Sequence, residues 1–247
     1  IDSVGQQGGG TIYIPAGYYQ VSPQILTGDS PSSIVIKYDN ITLIGDGIGK
    51  TIIESRGAWS VINNQVVRGN GIMIKRSNNS LQPRRNITIK NLELSGGTTG
   101  FTGDRSFPAN VKTGDGWDIT HKGICLDFSG YLDNVTIDSV YVHDFKGEVI
   151  YAGGLGVGNV TITNTKLHSS NGSILSLDAN LTVTKCEFSK TANAWVENAP
   201  LSPNKIYSFD QCTFRDSIAS GLVVAQGDLS FGNKVKVTNC SFYNSFA

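Results

Sequence analysis

Five residues in the second half of the chain have the types and spacing for work on a sugar: Asp127, Tyr151, Asp178, Trp195 and Glu197. They fall in short alternating segments, Gly123-Ile-Cys-Leu-Asp127, Glu148-Val-Ile-Tyr-Ala152, Ser173-Ile-Leu-Ser-Leu-Asp178 and Ala194-Trp-Val-Glu-Asn198. If Ile124, Leu126, Ile150, Ala152, Leu175, Leu177, Ala194 and Val196 turn inward, alternation turns the five outward, beside Cys125, Val149 and Ser176. Flat aromatic faces hold pyranose rings and carboxylates accept their hydroxyls, so this row predicts a saccharide groove lined by Tyr151 and Trp195. An outward Trp beside an outward Glu is unusual for mere solubility.

Two chemistries fit such a groove. Hydrolysis needs two carboxyls about 5 to 5.5 Å apart for retention or about 6.5 to 9.5 Å for inversion. Rungs of a stacked sheet lie about 4.8 Å apart, which sets Asp178 about 5 Å from Glu197 and Asp127 about 10 Å from Asp178. β-Elimination from a uronate needs a base near the C5 proton and a cation to neutralise the carboxylate. His121, Lys122, His143, Lys146 and Arg105 are the candidates for those roles, with Trp117 as a further binding ring. Asp115 and Asp118, beside Asp127, offer oxygen ligands for Ca²⁺, although EF-hand spacing is absent. His143 and Asp144 border the groove sheet, whereas His168 reads as a solvated turn residue.

The elements that must position these residues are repeats. Asn134-Val-Thr-Ile-Asp-Ser-Val-Tyr-Val142 recurs at Asn86, Asn159 and Asn180, and more loosely at Ile206 and Lys234. From Asn134 onward the starts are 25, 21, 26 and 28 residues apart, the mark of a solenoid. Counting the first residue as zero, apolar residues sit at positions one and three and in most copies at six and eight, around a polar pair, which means two short strands joined by a bend. Leucine-rich and helical repeats lack this grammar, and a parallel β-helix remains. Asn91, Asn164 and Asn239 at position five suit a left-handed bend. Cys186, Cys212 and Cys240 at position six form an inward ladder of packing thiols, and with Cys125 they are expected to stay free. The Asn-x-Ser/Thr sequons coincide with the repeat and are structural in this reading.

The opening, Gly8-Gly-Gly-Thr-Ile-Tyr-Ile-Pro-Ala-Gly-Tyr-Tyr19 followed by Ile41-Thr-Leu-Ile-Gly-Asp-Gly-Ile-Gly-Lys-Thr-Ile-Ile53, resembles that of the pectate-lyase-like superfamily. The resemblance implies an all-β, right-handed, single-stranded parallel β-helix with three short sheets per coil. It implies a polysaccharide substrate, with the cleft along the third sheet, and lyases of the superfamily often use Ca²⁺ with an Arg or Lys base. The superfamily also includes glycoside hydrolases, epimerases and phage tailspikes. The Tyr-Gly-Phe-Asp-Pro-His motif of the alginate epimerases is absent, as is the polygalacturonase pattern. A glycan-cleaving enzyme, by elimination or hydrolysis, is therefore weighed against a non-catalytic glycan-binding tail protein or adhesin, which would form homotrimers. Either location is extracellular or virion-associated.

A single domain over 1–247 is expected, with residues 97–122 a long inserted loop flanking the cleft. The 20 basic and 20 acidic residues balance, leaving no basic footprint for nucleic acid, and no apolar run is long enough for membrane insertion. The first residues read as a helix tail, and the last as half a coil, so a longer parent protein is expected at both ends.

Overall fold

The computed structural model describes residues 1–24, 31–55, 60–62, 65–67, 69–75, 84–97, 121–126, 132–152, 158–176, 178–191, 195–198, 202–217, 222–223 and 231–245. A five-residue helix, Asp2–Gln6, comes first, and the elements that follow it among the described residues are strands. Every pairing that joins one coil to the next is parallel, and an antiparallel hairpin, Ser60–Ile62 with Gln65–Val67, stands apart. The chain winds through three sheets in turn. The first holds Gly10–Tyr13, Ile41–Ile44, Asn159–Thr163, Asn180–Thr184, Ile206–Asp210 and Lys234–Thr238. The second holds Gly17–Val21, Thr51–Ser55, Glu187–Thr191, Thr213–Ser217 and Ser241–Ser245. The third holds Ser32–Ile36, Asn70–Ile74, Ile124–Leu126, Val196–Asn198 and Leu222–Val223. Three long strands turn corners without interruption: Arg84–Ser95, Leu132–Ala152 and Lys166–Ser176.

The repeat grammar sets the corners. Asn91, Ser139, Asn164, Lys185, Gln211 and Asn239 all occupy position five, and all have φ between 50° and 55°. The position is left-handed whatever residue fills it, and Asn fills it where it can, because its short amide makes that conformation cheaper. Asn40, Asn86 and Asn134 open their coils at φ 57°, 57° and 54°. Their amides form a ladder, with Asn86 Nδ2 donating to Asn40 Oδ1 at 2.8 Å and Asn134 Nδ2 to Asn86 Oδ1 at 3.4 Å.

Inside, identical positions stack in columns. Ile89, Ile137, Ile162, Val183 and Phe209 run down the first sheet, and Leu94, Val142, Leu167, Phe188 and Phe214 down the second. All ten are fully buried. The four cysteines are free thiols, and Cys186, Cys212 and Cys240 each donate to the carbonyl two residues earlier at 3.2 to 3.4 Å. No helix among the described residues is long and apolar enough to cross a membrane.

Candidate functional site

On the third sheet, one outward row runs Val35, Met73, Cys125 and Tyr151, fixed by strand register, and the same backbone register continues through positions 175, 197 and 223. Tyr151 and Cys125 share it, as alternation predicts. The segment from Ser173 departs from the expected parity: Ile174 pairs with both Ile150 and Val196 and is itself buried in the core, and Ser176 pairs with Ala152. The segment carries apolar residues at 174, 175 and 177, so alternation admits two registers, and stacking on the neighbouring coils selects one.

Two expected groove residues move with that correction. Asp178 sits in a bend beyond the strand and is 2% exposed; Ser202 Oγ donates to its Oδ1 at 2.5 Å and Lys205 Nζ lies 3.6 Å from its Oδ2. It is a buried, ion-paired corner residue, not one on the open face of the sheet. Trp195 is 1% exposed and belongs to the core, its Nε1 donating to the Arg215 carbonyl at 3.2 Å and its ring 5.5 Å from Phe214. The bend before Val196 turns this ring toward the core, because burying so large an apolar surface outweighs strict alternation. Val149 is likewise buried in the main core. Asp127, Arg105, Asp115, Trp117 and Asp118 lie outside the described residues, as does the side chain of Glu197.

The structure does gather other candidates at the third sheet. Lys122 Nζ stands 3.1 Å from the centroid of the Tyr151 ring and 3.6 Å from Glu148 Oε2. Lys122 is 2% exposed, Tyr151 5% and Glu148 8%. His121 and Lys146, both buried, adjoin them: the Lys146 and Gly147 amides donate to His121 Nδ1 and its carbonyl at 3.2 and 3.0 Å. A donor at Nδ1 leaves the His121 proton on Nε2 in the neutral ring. Burial pulls the Lys122 ammonium below its ordinary pKa, against the opposing pull of Glu148. Burial, with Cys125 and Glu148 nearby, pushes the Tyr151 phenol well above its own. One group therefore moves toward accepting a proton and the other holds its proton more firmly. Met73 and Cys125 pack beside Tyr151 as a small apolar cluster separate from the main core.

His143 lies elsewhere, on the outward face of the second sheet. Two outward columns run there, Tyr18, Ile52, Glu93, Tyr141, Lys166, Glu187, Thr213, Ser241 and Gln20, Glu54, Ser95, His143, His168, Ser189, Arg215, Tyr243. His143 Nδ1 is 2.7 Å from Asp144 Oδ2, its Nε2 is 3.2 Å from Glu93 Oε1, and its ring stacks on Tyr141 at 4.2 Å. Burial would lower its pKa, but the Asp144 and Glu93 carboxylates outweigh burial and raise it. His168, expected in a turn, is a strand residue directly beside His143, with Nδ1 2.8 Å from Ser189 Oγ. Burial and the nearby cations Lys190, His143 and Arg215 hold its pKa down, Asp144 opposing. Arg215 donates to Glu187 at 2.9 and 2.6 Å and to Asp216 at 2.8 Å. These columns are repeat positions seven and nine, so extending the repeat by one residue would have placed His168 and Arg215. Among the described residues, no three His, Cys, Asp or Glu side chains converge as a metal site would require.

Comparison with known proteins agrees with this architecture. The model of the right-handed beta helix region family matches residues 103–247. The mannuronan C5-epimerase AlgE1 of Azotobacter vinelandii is 30% identical over 155 residues, 60% of this chain and 9% of that protein. Alginate lyase 7 of the same organism is 39% identical over 61 residues, 24% of this chain and 6% of that protein. The solved A-module of A. vinelandii mannuronan C-5 epimerase AlgE6 superposes with a TM-score of 0.60 at 18% identity, over 96% of this chain and 56% of that one. The chain thus spans less than a tenth of the length of these two curated relatives. With the coils, the stacked columns and the family match in agreement, the chain belongs to the right-handed parallel β-helix family.

Proposed function

We propose that this chain acts on a uronate-containing polysaccharide by proton transfer at the sugar carbon that bears the carboxylate, using the third-sheet cluster. The carrying observation is the Lys122 amine nitrogen, Nζ, 3.1 Å from the centroid of the Tyr151 ring in a site nearly closed to water. Removing a proton from C5 leaves a carbanion whose charge spreads into the carboxylate. Reprotonation on the other face is epimerisation, and loss of the O4 substituent is elimination. Both start from the same abstraction, and the names of the matched relatives, mannuronan C5-epimerase and alginate lyase, include both outcomes.

Lys122 in its neutral amine form takes the C5 proton and becomes the ammonium, desolvation having moved it toward that neutral form. Tyr151, holding its phenol proton, returns one to C5 or to O4. Lys146, buried next to His121, offers charge to the substrate carboxylate, and exclusion of water strengthens that interaction. A uronate must displace the present shielding to reach the pair. Hydrolysis is less well supported, since Asp178 is off the face. Such a substrate belongs outside the cell or on a virion.

The test is deuterium incorporation. Polymannuronate, polyguluronate and polygalacturonate are incubated with the protein in D2O, with ¹H NMR reading loss of the H5 signal and ultraviolet absorbance reading unsaturated ends. Wild type is expected to give one signal or both on at least one polymer, and Lys122→Met to lower the rate about 10²-fold or more. Absence of both signals on every polymer overturns the reading, as does a Lys122→Met variant that works at the wild-type rate.

A further inference from the structure

Flat rings beside fixed polar groups also stand on the second sheet. We infer that the outward face of the second sheet is a separate saccharide-binding track, and that its ligand is a neutral polysaccharide. This goes beyond the uronate chemistry proposed for the third sheet and does not depend on it.

Three tyrosines mark the track. Tyr18 on the first rung is 53% exposed, Tyr243 on the eighth is 56% exposed, and half-buried Tyr141 stands on the fourth. With rungs about 4.8 Å apart, the face runs about 34 Å, long enough for several sugar units. Two of the rings are held in place: the Tyr18 hydroxyl donates to Glu54, and Tyr141 stacks on the His143 ring. A ring already fixed loses little freedom when a pyranose settles on it.

The polar groups between the rings are also fixed, by one another. His143 is held between Glu93 and Asp144, and Arg215 between Glu187 and Asp216. Such pairs present donors and acceptors in set directions to hydroxyls. Among the described residues on or beside this face, the carboxylates Glu54, Glu93, Asp144, Glu187 and Asp216 outnumber the basic side chains His143, Lys166, Lys190 and Arg215. A polyuronate would meet like charge there, whereas a neutral glycan meets hydrogen-bonding groups without that repulsion. His168 adds a ring nitrogen, Nε2, that has no hydrogen-bond partner among the described residues.

Affinity electrophoresis tests this directly. The protein is run in native gels containing hydroxyethylcellulose, galactomannan or arabinoxylan, and in gels containing alginate or polygalacturonate. Retardation is expected in at least one neutral gel, largely insensitive to salt. Tyr243→Ala, which alters an exposed ring with no hydrogen bond among the described residues, should weaken it about tenfold. Tyr18→Ala should do the same and Tyr18→Phe should weaken it less, since the Phe ring still stacks but loses the bond that fixes it; thermal melts check that each variant is folded. Lys122→Met should leave neutral binding intact, which separates failure of the uronate chemistry from failure of the track. Unchanged mobility in every neutral gel overturns the inference. So does retardation that survives Tyr243→Ala and Tyr18→Ala together, or retardation confined to the acidic polymers and abolished by salt.

Discussion

Phe214 is the residue whose loss should reveal most about how this solenoid is held together. It is fully buried and lies in a stack of rings, 4.6 Å from Phe188 on the rung before and 4.9 Å from Phe242 on the rung after. Trp195 and Phe209 meet it at 5.5 and 6.1 Å. Truncating a buried Phe to Ala costs about 3–5 kcal/mol through lost transfer energy and the cavity left behind. Stacked aromatic pairs are worth about 0.5–1.5 kcal/mol each beyond their area, which places Phe214→Ala near 5 kcal/mol. A domain is stable by only about 5–15 kcal/mol, so this one change removes a large share. In a solenoid each coil contacts only its neighbours, so the loss should be local. Hydrogen exchange read by mass spectrometry on peptides covering 180–217 should show protection falling by about three orders of magnitude, taking about 1.4 kcal/mol per factor of ten. Peptides covering 84–95, several rungs away, should change far less. A fall of less than tenfold in the first set, or an equal fall in both sets, would refute the argument.

Two further perturbations follow from individual interactions. The raised pKa of His143 means that its folded state favours the proton, so its contribution to stability is complete below the unfolded value of about 6.5 and is lost as pH rises through the folded value. Urea midpoints measured from acid to alkaline pH should therefore fall across that window in wild type relative to His143→Gln; a constant difference between the two would contradict the ion pairs. At Asn86, with φ 57° and ladder bonds on both sides, Ala should cost about 2 kcal/mol, since a Cβ residue in the left-handed region loses about 1–2 kcal/mol and the amide bonds go with it. Gly at the same position should cost less, and equal losses in thermal melts for the two variants would discount the backbone part.

The coil itself was legible because its two signals are local. Position five is left-handed in all six copies, and the Asn, Ser, Lys or Gln there sits between two pairs of inward apolar residues that any alternating strand would show. The third strand was harder to read. Ser173 to Asp178 offers two apolar parities, and only the match of Ile174 to Ile150 and Val196 decides between them. Trp195 misled for a related reason: its neighbours predict an outward side chain, yet a bend turns it to Phe214. Neither fact resides in the segment concerned; each belongs to the rung beside it. Lys122 above Tyr151 is similar, a contact between residues 29 apart that alternation could suggest only as shared membership of a face.

The left-handed asparagines also have a consequence for size. Each is unfavourable alone and is compensated when an amide on the previous rung is already in place to bond with it, as Asn40 is for Asn86 and Asn86 for Asn134. A finished coil is thus the template for the next, much as a crystal face orders the layer deposited on it. The difficult event is the first pair of coils, and later additions are equivalent to one another. A molecule built this way has an adjustable length, set by counting repeats, and its outer faces become rulers along which the distance between two outward residues can be changed one rung at a time.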